Sequence, residues 1–272
     1  MNAATAAVSL AIAASMFAVG SGRDASPGYA LWIAGAVSLS GALTLLAAQG
    51  YWPASATVVL ANALVAFRYV LVTAGLERFV GREPRWVVHA TGVGAAAVVS
   101  AFCTFVVPAV TVRIVFVTFG MAAWSLWSLA VVLREVPAVI GGPGRLAAAA
   151  LGLEALWSLA RVGVMLLGSD TLNALPRNAP VQAAFFVAFS AITAALAFGL
   201  NGLHTRRVEV ELARSLAEVQ VLRGIISICA SCKRVRDGER WVQVEAYVRE
   251  RSEAEFSHGL CPTCEETLYR AE

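Results

Sequence analysis

Apolar residues fill the first three quarters of the chain in long runs, and short clusters of Gly, Pro and polar residues interrupt them. A helix needs roughly 20 mostly apolar residues to cross the hydrocarbon core of a bilayer. Seven runs fall within the usual range, over residues 4–20, 30–49, 54–76, 86–107, 109–133, 146–168 and 180–203. The breaks carry turn chemistry. They are Ser21-Gly22-Arg23-Asp24 with Pro27-Gly28, Gly50-Tyr51-Trp52-Pro53, Gly81-Arg82-Glu83-Pro84, Pro108, Gly141-Gly142-Pro143-Gly144, and Ser169 to Pro180. Residues 86–133 are too many for one span, so Pro108 divides two. The expected fold class is an all-α polytopic membrane domain of seven transmembrane helices, with a small zinc-ribbon-like C-terminal module. A six-helix alternative, in which the first run is a cleaved signal peptide, lacks the positive segment that precedes such peptides.

After Leu203 the pattern changes. His204-Thr205-Arg206-Arg207 closes the last run, and a helix of mixed charge follows. Val208, Leu212, Ser215, Val219, Leu222 and Ile226 recur at spacings of four and three, a heptad seam of fewer than three heptads. Two readings stand. The helix continues the seventh span and pairs in a homodimer, or it packs as an amphipathic helix on the tail. The expected organisation is a transmembrane domain over 1–203, a linker or coiled-coil signalling helix over 204–226, and a cysteine-rich module over 227–272.

Composition sharpens this division. The chain is 58% hydrophobic and 14% charged, with a mean hydropathy of +0.70. Soluble domains carry about 25% charge, so a soluble enzyme is disfavoured and disorder is excluded. Residues 1–203 hold 16 charged side chains, and the remaining 69 positions hold 23. A net charge of +3 is too small to argue for nucleic acid. Basic residues favour the cytoplasmic loops. One set of loops holds Arg23, then Arg78, Arg82 and Arg85, then Arg134 and Arg145, then Arg206 and Arg207. The opposite set holds Arg177, with Arg113 nearby. The expected placement is therefore the bacterial inner membrane, multi-pass in lipid, with the N-terminus outside and the C-terminus cytoplasmic.

Charges within spans are costly, about 2.5–3.5 kcal/mol on insertion scales, and point to function by default. Arg68 lies in the third run, Glu154 and Arg161 in the sixth. Glu154 and Arg161 share a helix face with Trp157 between them, but stand two turns apart and cannot pair directly. Arg68 is the expected partner of Glu154. Asn62, Asn201, Trp124 and Trp127 are candidates to complete an interior site. It is either a polar pocket that senses a small molecule or ion, or an ion pair that fixes packing. His89 reads as an interfacial side chain and Cys103 as a small buried apolar residue. The spans are rich in small residues, which let helices approach closely in lipid. No internal repeat of the transporter kind is evident. A retinal Schiff base needs a Lys in the last span, and the single Lys is Lys233, outside the membrane.

Four of the five cysteines form two pairs in the tail, Cys229-Ala230-Ser231-Cys232 and Cys261-Pro262-Thr263-Cys264. Two C-x-x-C turns can aim four sulfurs at one tetrahedral centre, which is the pattern of a structural Zn2+ site. So short a tail has little core of its own, and a metal would staple it. His258, three residues before Cys261, either replaces one Cys as ligand or hydrogen-bonds a thiolate. A thiol–disulfide redox role is the alternative. Trp241, Val244 and Val248 have the spacing of one face of a short helix, and Trp241, Tyr247 and Phe256 are the expected small core around the metal.

The same residues carry a resemblance. Cys229-Ala-Ser-Cys232-Lys233, Trp241, Tyr247, then Phe256-Ser257-His258-Gly259-Leu260-Cys261-Pro262-Thr263-Cys264 resembles the C-terminal cysteine-rich module of bacterial signalling proteins. The match covers about a sixth of the chain, near residues 224–268. In that family the module follows sensory or receiver domains, so the resemblance implies a signal-transduction context. This chain departs by carrying membrane helices where those soluble domains lie. No kinase, cyclase or nucleotide-binding motif is present, so a non-enzymatic sensor acting through an unknown cytoplasmic signalling protein is the leading expectation. A transporter or channel with a regulatory tail, and a membrane thiol oxidoreductase, are the rivals.

Overall fold

The apolar runs fold as helices whose bounds follow the Gly and Pro breaks. The computed structural model describes residues 2–20, 26–48, 51–107, 109–167, 179–223, 226–251, 255–257 and 259–269. Arg23, Pro108, Arg177, His258 and the breaks expected at 21–24 and 169–178 lie outside the described residues. The helices are α1 (Asn2–Gly20), α2 (Tyr29–Ala47), α3 (Ala54–Phe79), α4 (Trp86–Phe105) and α5 (Val110–Arg134). Then come the short α6 (Val136–Ile140), α7 (Arg145–Leu167) and the long α8 (Ala179–Arg223). Six of them, α2 to α5, α7 and α8, are long and apolar enough to cross a membrane. The apolar stretch Ala4–Gly20 of α1 is shorter than those six.

The chain divides into two compact units, Met1–Leu212 and Ala213–Glu272. In the first, α2 packs on α1 and α3, α4 and α5 pack on α3 and on each other, and α5 packs on α7. The core joins Tyr29 and Trp32 of α2 to Leu76 and Phe79 of α3, with Val132 of α5, Leu151 of α7 and Leu200 of α8. Small residues permit the close approach. Gly28, at φ +86, begins α2 directly against Gly75 of α3, and a Cβ on Gly75 would overlap the Trp32 indole and stand 2.9 Å from the Gly28 carbonyl. Trp32 Nε1 in turn donates to the Val72 carbonyl at 3.2 Å. Gly75→Val should therefore force α2 and α3 apart and cost about 1–3 kcal/mol. A lowered unfolding midpoint in detergent checks this, and an unchanged midpoint would contradict the packing. Buried hydroxyls add cross-helix bonds, Ser38 Oγ to the Leu64 carbonyl at 2.8 Å and Thr73 Oγ1 with Ser128 Oγ at 2.8 Å.

Several turns share one side of this unit. Arg82 in the α3–α4 turn pairs with Glu135 after α5 at 2.6 Å. Arg207 on α8 donates to the Phe79 carbonyl at the end of α3. Ser26, just before α2, hydrogen-bonds His204 of α8. The turns grouped by their Arg content are thus brought together in space where they are described.

The second unit holds a two-stranded antiparallel hairpin, β1 (Val235–Asp237) and β2 (Arg240–Val242), then α9 (Val244–Arg249) and α10 (Pro262–Tyr269). Arg236 faces Trp241 in the ladder, and Gly238, at φ 62, opens the two-residue turn. Gly is favoured there because hairpin turns need a positive φ. Trp241 is therefore a strand residue and not part of a helix face with Val244 and Val248. The expected aromatic core does not form either. Trp241 and Phe256 are exposed, and Val235 is the buried apolar side chain among the described residues of this unit.

Candidate functional site

Arg68 and Glu154 meet inside the first unit. Arg68 Nη1 lies 2.8 Å from Glu154 Oε1, and the two side chains are only 3% and 1% exposed. α3 supplies a second donor, Tyr69 O–H, to the same oxygen at 2.9 Å. α5 supplies Ser125 Oγ to Glu154 Oε2 at 3.3 Å. The Arg68 guanidinium also sits 4.6 Å from the centre of the Tyr69 ring. One carboxylate on α7 thus gathers donors from two other helices, α3 and α5. That is how a buried ion pair survives loss of water: each charge needs its opposite and further hydrogen bonds.

The other residues singled out in sequence lie elsewhere. Arg161 is half-buried, two turns further along α7. Asn62 is half-buried on α3, before Arg68. Asn201 of α8 accepts a hydrogen bond from Tyr29 O–H at 2.6 Å.

A second buried pair was not legible in the sequence. Glu77 was placed past the end of the third run, but α3 continues to Phe79 and buries it completely. His89, expected at the interface, is also fully buried. His89 Nε2 lies 3.1 Å from Glu77 Oε2, and Trp124 Nε1 donates to His89 Nδ1 at 3.2 Å. An indole N–H can only donate. Nδ1 is therefore the acceptor of that bond. The Arg85 amide also donates to Glu77 Oε2 at 3.4 Å. Glu77 Oε1 has no partner among the described residues. Trp124 and Trp127 belong to this cluster and not to that of Arg68, since the Trp127 ring lies 5.3 Å from that of His89. The available signal was an acidic residue in the last turn of one span and a His in the first turn of the next.

In the second unit each cysteine pair forms its own turn. Cys229 N donates to the Arg234 carbonyl at 2.8 Å and Lys233 N to the Cys229 carbonyl at 3.0 Å. Lys233 takes φ 59, the left-handed region that lets the chain reverse after Cys232. The amides of Cys232 and then Ser231 point at the Cys229 sulfur and hold its thiol below the usual range. Cys261 directly precedes α10, where the Cys264 amide does the same for its sulfur. Among the described residues, no three His, Cys, Asp or Glu side chains converge on one point. Each turn presents two sulfurs, and a four-sulfur centre would need both.

On α8, Leu212 of the seam is exposed, as is the adjacent Leu216, and Val208 of the seam is half-buried. Set beside known proteins, the chain matches no family model, no curated protein and no solved structure.

Proposed function

We propose that the chain is a non-enzymatic sensor of the bacterial inner membrane, with seven spanning helices, its N-terminus outside and its C-terminus in the cytoplasm. The membrane domain receives a signal and α8 carries it into the tail. There Cys229, Cys232, Cys261 and Cys264 bind a structural zinc ion, and the folded module engages a cytoplasmic signalling protein. His258 serves as a ligand or supports a thiolate.

The observation that carries this reading is the continuity of α8, one helix of 45 residues from Ala179 to Arg223. Its first part contributes Leu196, Leu200 and Leu203 to the helix core. Its later part presents the exposed Leu212 and Leu216. A helix of this kind joins residues packed in the helix core to a surface suited to pairing two copies. The buried Arg68–Glu154 pair supports the reading too, because it makes α3, α5 and α7 respond together.

Disulfide trapping of Leu212→Cys in the full-length chain, in membranes, tests the coupling. A cross-linked dimer should form, and its yield should change when Glu154→Gln is added. Solute uptake by proteoliposomes should not depend on Glu154. Uptake that does depend on Glu154, with an unaltered dimer yield, would establish the transporter instead.

A further inference from the structure

A cavity of about 280 Å³ lies between α3, α4 and α5, lined among others by Ala66 and Tyr69, Gly92 and Ala96, and Gly120 and Trp124. We propose that it is a binding site for a neutral, planar, apolar molecule that reaches it from the bilayer.

Four observations define that class. The hydrogen-bonding groups of the described lining side chains are Tyr69 O–H and Trp124 N–H, and both are already committed, to Glu154 and to His89. A ligand with polar groups would leave them unpaired in an apolar site, at a cost of roughly 1–3 kcal/mol each. Charge is excluded more strongly for the same reason. Planarity follows from Trp124. Its ring lies against bare backbone at Gly92, where any Cβ would overlap it, so the indole forms a fixed flat wall. Size follows from volume. A cavity of about 150 Å³ holds benzene, so this one accepts two fused rings. Access follows from the lining Phe116 and Phe119, which are 42% and 62% exposed on the outer face of α5, where a spanning helix meets lipid.

The two walls also connect the cavity to both buried networks. Movement of Tyr69 disturbs the Arg68–Glu154 pair, and movement of Trp124 disturbs the His89–Glu77 pair. Binding nevertheless stands apart from the sensor reading. Occupancy is measured at Trp124 itself, so a chain that binds without changing its dimer yield keeps the site and loses only the sensor.

The test is ¹⁹F NMR of the full-length chain carrying 5-fluorotryptophan, in phosphatidylcholine nanodiscs, titrated with naphthalene. Trp124→Phe assigns the Trp124 resonance. That resonance should shift saturably with naphthalene and not with naphthalene-2-sulfonate. Ala96→Leu and Gly120→Leu fill the cavity from different helices, and either should weaken binding by roughly tenfold or more. The Trp32 resonance, in the packed core, reports that each variant is folded, and if one is not, the other decides. A non-saturating shift shared by all indoles would overturn the site, since the probe would then merely dissolve in lipid. Saturable binding of the sulfonate would overturn the ligand class. A Trp124 resonance that follows lipid chain length and ignores naphthalene would mean that an acyl chain fills the cavity, and would also overturn it.

Discussion

Glu154→Ala is expected to destabilise the membrane domain by about 3–5 kcal/mol, the range for removing one partner of a buried ion pair. The carboxylate holds the donors of Arg68, Tyr69 and Ser125 at 2.8, 2.9 and 3.3 Å. Without it, a guanidinium only 3% exposed stays charged with no counter-ion in contact. The loss is therefore not that of one hydrogen bond but of the group that makes Arg68 tolerable inside the bundle. Replacing both partners removes the problem, so Arg68→Met with Glu154→Leu should recover most of the stability. Equilibrium unfolding in mixed micelles measures both. A wild-type midpoint for Glu154→Ala would show that water reaches Arg68 and that the pair is not buried as described.

Cys261→Ser is expected to have the other large effect, confined to the tail. Structural zinc contributes about 10–16 kcal/mol of apparent binding free energy, and in small modules this is folding energy. The second unit has little to replace it, with Val235 buried and Trp241, Phe256 and Leu260 exposed. Wild-type protein should contain a single zinc ion per chain, and the variant none. Its tail should become sensitive to protease, while the unfolding of the membrane domain stays unchanged because the units divide between Leu212 and Ala213. A protease-resistant variant tail would count against the metal staple. Zinc-free wild-type protein with reversible disulfides would establish the redox alternative.

The membrane helices were legible because the hydrocarbon core imposes length and composition together, and Gly and Pro mark the ends. Arg68 and Glu154 were legible as partners for the same reason, since opposite charges among apolar runs have few other ways to be tolerated. Glu77 and His89 were not. Each lies within a turn of a helix end, where the sequence alone allows it to face water. His89 is covered by Trp124 and Trp127 of α5, and Glu77 is buried against His89. The hairpin in the tail was hidden by coincidence of spacing. Trp241, Val244 and Val248 fit a helical period, but Asp237-Gly238 makes a turn that pairs Trp241 with Arg236 instead.

By itself, then, the sequence determined which segments are apolar helices, that charge concentrates beyond Leu203, and that four cysteines stand in two pairs. Those properties depend on neighbours along the chain. Tertiary structure alone decided that Tyr69 and Ser125 complete the Glu154 site and that His89 is buried between Glu77 and Trp124. It also decided that small residues on α3, α4 and α5 leave a cavity beside two aromatic rings. Such features depend on which helix faces meet, and in lipid that choice is made by shape and hydrogen bonding, because every outward face is already apolar.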